Sequence, residues 1–170
     1  MIRQMTSSDL PRVLEIYNDA IINTTAVYHY KEHTLEQRQE WYKEKTEGGY
    51  PLLVFEEEGQ VLGFATYGPF RPWPAYKYSI EHSVYVHKDA RKKGIGTLLL
   101  KAIIKQADEE GYQTMIGGID STNKGSILVH EKLGFTYSGT IKKAGYKFGK
   151  WLDLDFYQLD LKGPIHPVEG

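Results

Sequence analysis

Apolar residues recur along this chain at two different periods, and the changes of period mark its elements. Leu10, Val13, Leu14, Tyr17 and Ile21 follow at three- and four-residue steps, which predicts a helix from about Ser8 to Ile22 with Pro11 suited to its first turn. Thr34 and Gln37 have the spacing of a capping box before the polar run RQEWYKEK, so a second helix begins at Thr34 and stops at Gly48 and Gly49. The stretch YPLLVFEEEGQVLGFATYG predicts two strands joined over Glu57 to Gln60, a hairpin.

A period of two returns in YSIEHSVYVH, with Glu81, Ser83 and Tyr85 on one face and His82, Val84 and Val86 on the other. The helical period resumes through Leu98, Leu99, Ala102 and Ile103 and closes at Gly111. TMIGGI is then a strand, DSTNKGS a loop, SILVHEKL a short helix closed by Gly134, and FTYSGTI a strand. WLDLDFYQLDL alternates Leu152, Leu154 and Phe156 with Asp153 and Asp155, as a half-buried strand does. Pro69, Pro72 and Pro74 restrict the shape of GPFRPWPAYK, which makes this loop a stiff candidate pocket wall. The order α, α, β, β, β, α, β, α, β, β predicts an α/β (α+β) fold, a mixed central sheet flanked by helices. We expect one domain over residues 1–163 and a loose tail over 164–170, where Pro164 and Pro167 fall.

Composition narrows the chemistry. At 170 residues and a formal charge of −1, the chain can bury one good core but carries no global positive field for nucleic acid or anionic lipid. Any basic site is local. Cysteine is absent, which excludes disulfides, thiolate metal sites and a cysteine nucleophile. The N-terminal MIRQMTSSDL has no apolar signal core, and no run approaches a membrane span. A cytoplasmic protein is the expectation.

One segment breaks the helical pattern it introduces. Arg91-Lys92-Lys93-Gly94-Ile95-Gly96 places three cations and two glycines at the mouth of a helix, although glycine is a poor helix former. A helix N-terminus offers unpaired N–H groups and partial positive charge, and glycine lets backbone approach a phosphate. The turn therefore reads as a pyrophosphate site, with a solvated basic turn as the other reading. It is no P-loop, since GYKFGKW has the wrong spacing and no hydroxyl after the lysine; nor is it a dinucleotide fingerprint, since Leu99 stands where the third glycine belongs.

The wider pattern decides between these readings. Arg91-x-x-Gly94-x-Gly96 lies between a strand and a helix and is followed by Asn123-x-x-Ser126-x-x-x-His130-x-x-x-Gly134-Phe135. This resembles the GCN5-related N-acetyltransferase (GNAT) superfamily. GPFRPWPAYKYSIEHSVYVH and AGYKFGKWLDLDFYQLDL further resemble its phosphinothricin and methionine sulfoximine N-acetyltransferase family, over nearly the whole chain.

The resemblance implies acetyl-CoA as donor and direct attack of an amine on the thioester. No metal is expected, since His82 and His87 differ by an odd number and an unbulged strand points them to opposite faces. The resemblance also implies Glu81 as general base, backbone of Val84, Tyr85 and Val86 for the oxyanion and pantetheine arm, and His130 as general acid. Residues Arg91, Lys92, Lys93, Gly94, Ile95, Gly96 and Thr97 would hold the pyrophosphate, with Asn123 and Ser126 on the CoA arm. A small amino acid analogue would need a cation for its carboxylate. Arg71 is the candidate, with Trp73, Pro74 and Ala75 beside it and Tyr28 and Tyr78 as walls. Some members carry a second basic residue where this chain has Trp73, which favours a neutral head, as in methionine sulfone or sulfoximine, over phosphinothricin. A homodimer is the implied assembly. Other readings are an acetyltransferase for a polyamine, an antibiotic or a protein N-terminus, and a CoA-binding module without catalysis. A polyamine site should be rich in acid, and GPFRPWPAYK has none.

Overall fold

A computed structural model describes all 170 residues, Met1 to Gly170. Seven strands form one mixed sheet in the order β1-β2-β3-β4-β5-β7-β6. They are β1 (Ile2–Gln4), β2 (Leu52–Glu57), β3 (Gln60–Pro69), β4 (Ser79–Val86), β5 (Thr114–Asp120), β6 (Thr136–Lys147) and β7 (Lys150–Asp160). The helices are α1 (Leu10–Asn23), α2 (Leu35–Glu47), α3 (Ile95–Glu109) and α4 (Lys124–Lys132). The chain divides into two compact units, residues 1–67 with 83–103 and residues 68–82 with 104–170.

In the first unit α1 begins after a short turn at Ser7–Asp9 with Pro11 in its first turn, and buries Leu10, Val13, Ile16, Ala20 and Ile21. Val13, Ile16, Leu52, Val54, Val61 and Phe64 share one core cluster. Thr34 caps α2 as its spacing predicts, accepting from the Gln37 amide while the Gln37 side chain accepts from the Thr34 amide. The hairpin forms as β2 and β3, with a bulge between Phe55 and Glu56. Pattern reading overlooks β1, whose three residues are too few to show a period. It is fixed by pairing Ile2, Arg3 and Gln4 with Phe55, Val54 and Leu53.

In the second unit β5 pairs with β7 from Thr114–Asp160 to Asp120–Leu154. β6 extends well past the predicted FTYSGTI and pairs with β7 down to Lys147–Lys150. Register breaks at Tyr137/Gly139 and Ile141/Gly145 hide its period in the sequence. β4 pairs parallel with β5 only over Ser79–Thr114, Ile80–Met115 and Glu81–Ile116. Beyond Glu81 that ladder stops. Residues 164–170 run without regular structure, yet the Val168 amide donates to the Tyr78 hydroxyl at 3.0 Å.

Candidate active site

Glu81 and His82 are neighbours on β4 and therefore point to opposite faces of the sheet. Each stands beside one of two consecutive glycines on β5. A Cβ on Gly118 would lie 3.5 Å from Glu81 Oε2, near Leu154 and Phe156 of β7. A Cβ on Gly117 would lie 2.9 Å from His82 Nε2 and 3.3 Å from His130 Nε2, closer than packing permits. The pair Gly117-Gly118 therefore leaves room for a carboxylate on one face and an imidazole pair on the other.

Glu81 is exposed on β4, although neighbouring protein partly desolvates its carboxylate. That desolvation raises its pKa above the ordinary glutamate value, and the positive charge of Arg71 partly opposes the rise. The structure thus brings Arg71 within electrostatic reach of Glu81. Arg71 also lies 5.2 Å from the Phe70 ring centroid, as a cation over an aromatic face. Trp73 is exposed and meets Tyr76 edge-on, Pro74 and Ala75 open a short turn to Tyr76, and Tyr78 is half-buried. The Tyr78 hydroxyl donates in turn to the Val168 carbonyl at 3.4 Å.

His130 is buried on α4 and separated from Glu81 by the sheet. Its Nδ1 lies 2.7 Å from the Ser126 carbonyl and its Nε2 3.0 Å from His82 Nε2. Asn123 caps α4, its side chain accepting from the Ser126 amide at 3.2 Å. Sequence reasoning missed His82, because it weighed that residue only against His87 as a metal ligand. Two adjacent glycines inside a strand pattern were the available signal of a close approach.

In the first unit the segment before α3 adopts the conformation an anion cradle needs. Lys92 and Gly94 both have positive φ, 67° and 78°, and a Cβ on Gly94 would meet nothing within 4 Å. Leu98 donates to the Gly94 carbonyl at 3.1 Å, so the amides of Ile95, Gly96 and Thr97 precede the first bonded N–H of the helix. Successive turns of backbone N–H groups in such a loop form an anion-binding concavity. Lys92 and Lys93 are exposed beside it. Arg91 is engaged elsewhere, 3.1 Å from Asp19 of α1, and so braces the turn.

The three backbone positions expected to serve the thioester also separate. Tyr78 O on the neighbouring stretch accepts from Thr114 of β5, and His87 donates to Leu62 of β3 at 2.8 Å. Backbone groups alternate edges along a strand. The amides of Val84 and Val86 therefore face the edge away from β3, and that of Tyr85 faces β3. Tyr28 is partly exposed in the loop after α1.

Residues 2–155 match a family described as an acetyltransferase (GNAT) domain. The L-methionine sulfoximine/L-methionine sulfone acetyltransferase of Pseudomonas aeruginosa is 46% identical over 161 residues, 94% of either chain. The crystal structure of an N-acetyltransferase from Staphylococcus aureus Mu50 superposes with a TM-score of 0.95 at 55% identity, over 95% of this chain and 98% of that one. A phosphinothricin acetyltransferase from Sinorhizobium meliloti, solved with acetyl-CoA, gives a TM-score of 0.95 at 34% identity, covering 100% of this chain and 94% of its own.

Proposed function

The chain belongs to the GNAT acetyltransferase family, and from that premise we propose that it moves the acetyl group of acetyl-CoA to the α-amine of methionine sulfone or methionine sulfoximine. The names of the Pseudomonas and Sinorhizobium relatives support a small amino acid analogue as acceptor and acetyl-CoA as donor. The observation that carries the reading is Glu81: a solvent-accessible carboxylate over Gly118 of β5, its pKa raised by partial desolvation, with the Arg71 cation in electrostatic reach.

The amine must shed a proton before its nitrogen can attack. A base whose pKa lies nearer neutrality than an ordinary glutamate's is better matched to that task. Arg71 holds the acceptor's carboxylate, and the same charge opposes the rise in the Glu81 pKa. The nitrogen adds to the thioester carbonyl, the amides of Val84 and Val86 stabilise the oxyanion, and the C–S bond breaks to release the thiolate. One such positioned donor is worth about 3 to 4 kcal/mol. The fit of the substrate's pyrophosphate to the α3 turn rests on the left-handed Lys92 and Gly94 and the helix amides that follow them.

Trp73 in place of a second cation favours acceptors with a neutral head over phosphinothricin. The same proposal includes a homodimer. Tyr137, Ile141, Tyr146, Phe148 and Trp151 of β6, β7 and the turn between them are all exposed, and aromatic residues of this kind are enriched where proteins associate. It also places the enzyme in the cytoplasm; no helix is long and apolar enough to cross a membrane. The test is thiol release from acetyl-CoA with methionine sulfone, methionine sulfoximine, phosphinothricin, a polyamine and a peptide N-terminus. Release with the first two above the rest supports the reading, and preference for the polyamine or peptide overturns it.

A further inference from the structure

His82 takes part in none of the steps above, yet it is the first residue of β4 past the last β4–β5 pair, Glu81–Ile116. Its ring lies nearly parallel to that of His130, with centroids 5.0 Å apart and 14° between the planes, and Phe135 meets both rings edge-on. The hydrogen positions follow from the partners. A carbonyl oxygen only accepts, so His130 donates from Nδ1 to Ser126 O at 2.7 Å. A neutral imidazole carries one N–H, so His130 Nε2 is bare and accepts from His82 Nε2 at 3.0 Å. His82 Nδ1 is then the bare nitrogen, sealed from solvent and without a partner.

We propose that His82 is a positioning residue: by donating to His130 it fixes that ring as the neutral Nδ1–H tautomer, and the pair pins α4 to β4 beside Glu81. His130 then gives no proton to the departing thiolate. Its only N–H belongs to Ser126, and the sheet lies between it and Glu81. An ordinary thiol ionises near pH 8.5, so the thiolate leaves as such and takes its proton from water. The groups that face the pair support a neutral state. The one titratable group that acts on His82 is His130, whose Nδ1 faces the Ser126 carbonyl and, at 3.5 Å, the Ser126 hydroxyl; Phe135 and Gly117 complete the surroundings. No carboxylate is there to stabilise an imidazolium. Burial accordingly lowers both pKa values, that of His82 to about 3.

The kinetic part of this proposal rests on acetyl transfer through Glu81; the tautomer part does not. Imidazole ¹⁵N spectra of the free, full-length protein between pH 5 and 9 should show His130 protonated at Nδ1, His82 at Nε2, and neither ring titrating. A ring that titrates near pH 6.5, or His130 protonated at Nε2, overturns the pairing whatever the activity. With methionine sulfone as acceptor, His82→Phe keeps the ring but loses the donor. Its kcat should fall between about 10- and 100-fold, with a new limb near pH 6 to 7 as His130 becomes free to titrate, and KM for acetyl-CoA should change less than about twofold. His82→Gln, which can still donate, should recover the wild-type pH profile. Variants with wild-type kcat and profile refute the role. If His82→Phe does not fold, the wild-type spectra and His82→Gln still decide it, and a wild-type protein that acetylates nothing counts against the activity alone.

Discussion

Two consecutive residues of β4 live in opposite worlds. Glu81 faces water, with Arg71 in electrostatic reach; His82 faces the rings of His130 and Phe135, with a ring nitrogen that water does not reach. In both cases desolvation disfavours the charged form, raising the carboxyl and lowering the imidazole. Only Glu81 can exchange a proton with a substrate. Desolvation by itself therefore does not mark a catalytic group; desolvation joined to access does.

The largest test of that contrast removes the open carboxylate. Glu81→Gln should lower kcat by about 100-fold or more at pH 7 while calorimetric affinity for acetyl-CoA stays within about twofold. Unchanged turnover from pH 6 to 9 would remove Glu81 from the reaction. The next test strikes the two glycines. Gly117→Ala puts a methyl 2.9 Å from His82 Nε2 and should cost about 1 to 3 kcal/mol in denaturant unfolding, whereas Gly118→Ala meets its nearest atom at an ordinary 3.4 Å and should cost far less. Equal losses would mean the two faces are not packed differently.

Acidification should separate the faces further. Above pH 6.5 His82 is neutral folded or unfolded and contributes nothing to pH dependence. Below it the unfolded chain binds a proton that the folded chain refuses until about pH 3, so the fold loses stability as pH falls through that window. Melting temperatures between pH 7 and 4 should drop less steeply in His82→Phe than in wild type. The smallest effect concerns the open face: since Arg71 lowers the Glu81 pKa, Arg71→Ala should move the acid limb of kcat to higher pH. No movement of the limb would separate Arg71 from the base.

Much of this was legible beforehand. Thr34 and Gln37 announced a cap, and the alternation of YSIEHSVYVH gave β4 and put Glu81 and His82 on different faces. The glycines of the basic turn were read for close approach to a phosphate; the structure adds that Gly94 has left-handed backbone, φ 78°. That φ of 78° also changes how the turn should be probed. A valine at Gly94 would strain the backbone as well as block an anion, so Gly96, with ordinary φ and 3.6 Å to Val86, is the cleaner position. One element and the second half of another escaped. β1 is too short for a period, and the bulges of β6 shift its alternation midway.

The order of residues alone determined the elements, the family resemblance and the candidate base, because periodicity, caps and turn glycines act over a few neighbouring positions. Only the folded chain decided that Arg91 braces Asp19, that Val84 and Val86 turn their amides away from β3, and that His130 meets His82 across 48 residues of sequence. Those outcomes depend on which strand edge and which ring come within about 3 Å of one another, a distance set by packing between elements.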